Sequence, residues 1–245
     1  MRAFGALKEP NLDHEKKYPI LSSMGPPPVV ERRLTLPSNY QVDYDQKDDP
    51  ACVGASLSIA MAMLNYGDVY DFKWLWQNAK DFDYVFSTKK GDNQGTTVNG
   101  ACRVLKQLGH VMVDKILRMP MPANKADGII EYRWDHSCNG ILWSIGKGVP
   151  VVVATDWFSL MNYPEFFEGA YWIGRNAPDN LDILGIPEGS HAYCIFAAST
   201  SKGYVSMAQS WGRDFPEEVR IPIKFMNKLL TRRGEVALIT DRPTK

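Results

Sequence analysis

From Cys52 to Tyr66 the chain reads CVGASLSIAMAMLNY, small or apolar on nearly every side of a helical turn. A helix without a polar face is a buried helix, so the rest of the chain must be built around this one. Gly67 directly behind it predicts the stop. Ahead of it lies an acidic, proline-punctuated loop, DQKDDPA, and at the join stands a single thiol, Cys52. With 245 residues the chain can bury this helix in one sizeable core or between two lobes that share a cleft.

The rest of the first half continues in helical patterns. DFKWLWQNAKDF predicts a second helix, and TTVNGACRVLKQLG a third, capped by Thr96 or Thr97 and ended by Gly109. After NGILWSIGKG, a short helix closed by glycine, the character changes. VPVVVAT, HAYCIFAAST, GYVSMAQSW, VRIPI and EVALIT are β-branched, apolar or alternating runs between turns, which predict strands. The opening forty residues carry Pro10, Pro19, Pro26, Pro27, Pro28 and Pro37, too many for regular structure, and predict an arm extended over the surface. The expected organisation is a proline-rich arm over residues 1–34, a helical lobe with Cys52 over 35–140 and a β-rich lobe with His191 over 141–245. Apart from the short GPPP there is no low-complexity segment, and there is no internal repeat.

Composition narrows the classes of function. The 28 basic residues balance the 28 acidic ones, so no charge excess asks for nucleic acid or an anionic membrane. No apolar run approaches the roughly 20 residues that cross a bilayer, and the N-terminus lacks the apolar block of a secretory signal. Cys52, Cys102, Cys138 and Cys194 lie far apart with no CxxC pair, which argues against a zinc knuckle or a redox dithiol. Free thiols in a reduced, cytoplasm-like or virion-associated setting are expected, without a disulfide.

Two residues carry candidate chemistry. A thiol in the first turn of a helix meets free backbone N–H groups and the positive end of the helix dipole, which favour the nucleophilic thiolate; it can equally be a small apolar residue of the core. His191, at the head of a predicted strand in GSHAYCIFAAST, could serve as its base or be a core histidine bonded to a carbonyl. His136 and Cys138 in HSCNG could supply two metal ligands, but without a partner cluster they read as a loop, and no metal or other cofactor is expected.

The order Gln46, Cys52 at a helix start, GTTVNGACRVLKQLG, GVPVVVAT, SHAYCIFA and SKGYVSMAQSWG resembles the papain-like (C1-type) cysteine peptidases over about residues 35 to 235, and the separation of Cys52 from His191 lies within the roughly 130–150 residues of that group. The resemblance implies an α+β, two-lobed papain-like fold with the active site between a helical lobe and a strand-rich half-barrel. It makes Cys52 the nucleophile and His191 the general base and acid. Gln46 and the Cys52 N–H would form the oxyanion hole, and Trp211 would cover the hydrogen bond that orients the histidine. The sequence also departs from the pattern. Gln209 stands where asparagine is usual, Val53 replaces the aromatic after the nucleophile, and the first cysteine of the C-G-[SA]-C-[WY] signature is missing. The arm is shorter than the inhibitory pro-segments of secreted members, so a stored zymogen is not expected. Two functions follow: a thiol peptidase acting on peptide or protein substrates, or a papain-fold docking protein of weakened activity. The latter would meet neighbouring subunits through its N-terminal arm in a large assembly such as a phage virion.

Overall fold

The computed structural model describes residues 4–7, 29–83 and 95–242; the prolines from Pro10 to Pro28 and the GPPP stretch lie outside the described residues. The apolar segment forms the helix α2 (Cys52–Leu64), following a single turn α1 (Tyr40–Asp43), and every residue of α2 from Cys52 to Ala62 is buried. Gly67 takes φ +85° and returns its N–H to the Ala62 carbonyl at 2.7 Å, closing the helix where the sequence places the stop. Helix α3 (Phe72–Phe82) starts from an Asp71 cap that accepts the Trp74 N–H at 2.9 Å. Helix α4 (Val98–Gln107) starts from Thr97, whose hydroxyl accepts the Gly100 N–H at 2.9 Å, so of the two candidate threonines the second is the cap.

The strands β1 (Glu31–Arg33), β2 (Ile129–Asp135), β3 (Val151–Trp157), β4 (Glu165–Phe167), β5 (Ala170–Trp172), β6 (Gly189–Ser199), β7 (Tyr204–Ala208), β8 (Val219–Pro222) and β9 (Glu235–Asp241) form one mixed sheet. Its order is β2-β9-β3-β6-β7-β8-β5-β4, with β1 paired to β6. All five expected strand runs are strands. Two elements cross the expected division of the chain: β2 adds a strand before residue 140 and pairs antiparallel with β9, and helix α6 (Ile223–Thr231) lies within the strand-rich half. The arm also contributes regular structure, because the proline-free Glu31–Arg33 pairs with Ser199–Ala197 of β6.

The near-continuous apolar runs of β3 and β6 are explained by burial on both faces of the sheet. Val152, Ala154, Ala192, Cys194 and Phe196 point into one core with α2, α3 and α4. Val151, Val153, Tyr193 and Ile195, alternating with them, point into a second core with α5 (Cys138–Gly146) and α6. Strand β6 therefore runs between the two cores, and its first residues lie against the N-terminus of α2. All four cysteines are free and buried. No helix among the described residues is long and apolar enough to cross a membrane.

Candidate active site

The loop from Asp45 to Ala51 is fastened to the segment that follows β7. The Gln46 N–H donates to the Ser210 carbonyl at 2.8 Å, and the Ser210 hydroxyl donates to the Gln46 side-chain oxygen. The Gln46 amide nitrogen donates in turn to the Asp49 carbonyl at 2.9 Å, bracing the turn that leads into α2. Gln46 is fully buried, where a glutamine taken alone would more often lie on the surface.

Cys52 is the first residue of α2, and no side chain caps that helix. The first N–H groups are thus left for the thiol: the amides of Ala192, Gly5, Val53 and Cys52 itself all favour the thiolate. The Ala192 N–H reaches the Cys52 Sγ at 3.5 Å, which brings the start of the helix against the residue following His191. Burial is nevertheless the larger effect and pushes the Cys52 thiol up to about 11. The expectation that helix position favours the thiolate is met in direction and overridden in outcome, because Cys52 is sealed from solvent.

His191 is fully buried in β6, and its Nε2 lies 3.0 Å from the Gln209 Oε1. With an amide oxygen as the acceptor, Nε2 carries the proton and Nδ1 keeps the ring lone pair. The Trp211 ring stacks over the imidazole at 4.5 Å, and Trp157, which sequence reasoning did not single out, meets it edge-on at 4.9 Å. The longer glutamine side chain thus still reaches the ring beneath Trp211. His136 lies apart from this site: its Nδ1 is 2.7 Å from the Gly234 carbonyl, and Cys138 opens α5.

Residues 4–7 hold the main surprise. The described piece Phe4–Leu7 runs beside Cys52, with Gly5 and Ala6 buried, and not over the surface as expected of the arm. The Ala6 N–H bonds the Ser190 carbonyl at 3.3 Å, and the Leu7 N–H bonds the Thr96 carbonyl at 2.9 Å. The Thr96 N–H bonds the Gly5 carbonyl at 2.9 Å, so Ala6 and Thr96 form a parallel bridge. Phe4 sets its ring edge-on to His191 and Trp211, at 6.3 and 6.0 Å. The Thr96 edge is itself braced by Asp83, which accepts the hydroxyls of Thr96 and Thr97, each at 2.6 Å. The signal for this strap was FGAL, a proline-free stretch of small and apolar residues inside the arm.

No family profile and no curated protein matches the chain at the level of sequence. Solved structures do match in fold. Xylellain, a cysteine protease from Xylella fastidiosa, superposes with a TM-score of 0.68 at 13% identity over 98% of this chain and 96% of that one. Digestive procathepsin L 3 of the Tenebrio molitor larval midgut gives 0.57 at 13% identity, covering 98% and 76%. The Carica candamarcensis cysteine protease CMS1MS2 gives 0.55 at 14% identity, covering 88% and 99%. This α+β chain has the fold of the papain-like cysteine proteases.

Proposed function

We propose that the protein is a thiol peptidase of the papain-like kind, held latent in this state by its own residues 4–7. The observation that carries the reading is the convergence of a helix N-terminal thiol, Cys52, with the strand bearing a histidine whose Nε2 is tied to Gln209 and covered by Trp211. With Nε2 protonated, His191 Nδ1 takes the Sγ proton as sulfur bonds to the substrate carbonyl carbon. The Cys52 N–H and the Gln46 amide receive the developing oxyanion. The imidazolium then gives its proton to the departing amine nitrogen as the C–N bond breaks. Water, deprotonated by His191, forms the C–O bond; the C–S bond breaks and the sulfur regains a proton. The sequence needs no cofactor.

Two observations support latency. Burial pushes the thiol up to about 11, and the strap turns the Gly5 N–H toward the sulfur while the Gly5 carbonyl oxygen accepts from the Thr96 N–H. The same burial favours a second reading, a papain-fold docking protein whose thiol is retired. Turnover of a mixed peptide library under reducing conditions, with Cys52→Ala as control, decides between them. Turnover that disappears in the control supports the peptidase. Absence of turnover even in the Gly5→Ala chain, whose added Cβ would stand 1.8 Å from the Pro50 oxygen and displace the strap, together with Cys52 inert to an epoxide probe in that chain, supports the second reading.

A further inference from the structure

The Trp157 ring beside His191 is held from the surface. The Trp211 ring stacks on the imidazole at 4.5 Å with 29° between the planes, while Trp157 stands nearly perpendicular to both, 4.9 Å from the imidazole and 5.0 Å from the Trp211 ring. Being almost equally far from both centroids, Trp157 lies at the rim of the stacked pair and not over the other face of the imidazole. The sheet register explains the position. His191 pairs with Thr155, so Trp157 is its diagonal neighbour on the same face, and Gly189, directly opposite Trp157, puts no side chain between them. Stacking alone lets one ring slide over the other; a perpendicular ring at the rim is a steric stop against that motion.

The indole is itself fully buried, and its N–H needs an acceptor. Trp157 Nε1 donates to the Asn162 Oδ1 at 2.9 Å, the Asn162 amide nitrogen donates to the Glu188 Oε2 at 2.8 Å, and the Glu188 N–H donates to the Trp157 carbonyl at 2.8 Å. The three bonds close a circuit that joins the end of β3, the short turn Ser159–Asn162 and the residue before β6. Glu188 is exposed and Asn162 half-buried. The Glu188 carboxylate fixes which way the Asn162 amide faces, because only the amide nitrogen can donate to it, and the oxygen is then left to the indole. We propose, resting on the thiol-peptidase reading, that Trp157 is a positioning residue for His191, keeping Nδ1 toward the Cys52 sulfur, and that Asn162 and Glu188 set the indole from the surface. The Phe4 ring, 6.3 Å from the imidazole, leaves when the strap lifts, whereas Trp157 stays at the rim during turnover.

The test uses the full chain carrying Gly5→Ala, whose added Cβ would stand 1.8 Å from the Pro50 oxygen and displace the strap. The substrate is one peptide that this chain cleaves from a mixed library, and unchanged far-UV circular dichroism is the check on folding. Asn162→Ala should lower kcat about tenfold and change KM less than about twofold, because a displaced imidazole weakens transition-state stabilisation and not substrate binding. A raised KM at unchanged kcat would place these residues against substrate and overturn the proposal. Glu188→Ala should lower kcat in the same way, and Glu188→Gln, whose amide oxygen still accepts from Asn162, should recover it. A loss that Glu188→Gln fails to repair would overturn the hydrogen-bonded route. Trp157→Phe, which has no N–H to hold, should also lose about tenfold in kcat, and adding Asn162→Ala to it should cost less than about twofold more. A full second loss would show that Asn162 does not act through Trp157. If the Gly5→Ala chain cleaves no peptide before any of these changes, the peptidase reading falls and this proposal with it; cleavage that Asn162→Ala leaves untouched overturns the proposal alone.

Discussion

Two buried nucleophile and histidine neighbourhoods stand among the described residues, and on the reading proposed above only one is placed to do chemistry. In the helical core, the Ser58 hydroxyl lies 2.8 Å from the His110 Nε2, within the hydrogen-bond reach that a catalytic pair needs, while the Val111 N–H donates to Nδ1 at 2.9 Å. The ring is therefore neutral with its proton on Nε2, stacked on Tyr70 at 4.7 Å, and burial lowers its pKa to about 3. Both ring nitrogens are taken up by the fold. At the other site the histidine Nε2 is bonded to Gln209, and a short segment, Phe4–Leu7, lies beside the thiol at the edge of the core. Proximity of a hydroxyl or thiol to an imidazole is thus a weak sign of catalysis; the cover and what could remove it carry more.

The sharpest test of this contrast is substitution of the two nucleophiles. In the Gly5→Ala chain, where the strap is displaced, Cys52→Ala should lower peptide turnover by about 10⁴-fold or more, whereas Ser58→Ala should change it less than about twofold. If Ser58→Ala abolished turnover in a folded protein, the assignment of roles would be reversed. Next comes the orienting amide. Gln209→Ala should reduce kcat by roughly 10²-fold with little change in KM, and Gln209→Asn should retain or raise it. Equal losses in the two variants would show that the amide acts through packing.

Thiol titration separates access from chemistry. In the unsubstituted chain, alkylation of Cys52 should climb towards a midpoint near 11, since burial disfavours the thiolate, and should be slow at pH 7. A midpoint below about 8 would mean that the strap does not seal the sulfur.

The smallest expected effects concern the structural pair. His110 in the unfolded chain binds a proton below its ordinary value of 6.5, while the folded protein resists until about 3. Its contribution to stability is therefore complete above pH 6.5 and is lost as pH falls towards 3. Urea midpoints at pH 7 and pH 4 should show the decline, and His110→Phe should flatten it. Ser58→Ala, which leaves the Nε2 proton without this acceptor, should cost about 1–3 kcal/mol at pH 7.

Much of this was legible in the sequence. The all-round apolar pattern of 52–64 could only be a buried helix, and Thr97, Gly67 and Gly109 mark boundaries through capping and left-handed backbone, which are local physics. The strand runs around Val151, His191 and Glu235 are apolar enough to identify without knowing their neighbours. Strand β2 and helix α6 were less visible. IIEYRWD is interrupted by charges on its open face, and IKFMNKLL follows the strand-like VRIPI without a capping side chain.

What the sequence by itself determined is therefore the four helices longer than one turn before residue 150 and the five longest apolar strand runs after it, the thiol at the head of a buried helix and the histidine at the head of a strand, because helical periodicity, alternation and turn chemistry act over a few residues. Tertiary structure alone decided three things. It set Gln209 under Trp211 against His191, threaded Phe4–Leu7 past Cys52, and raised the thiol where helix position had favoured the thiolate. Each depends on what lies across the fold from a residue. Gly5 is one glycine among 19 in the sequence, and only the Pro50 carbonyl and Gly95 beside it make it the one residue type that fits.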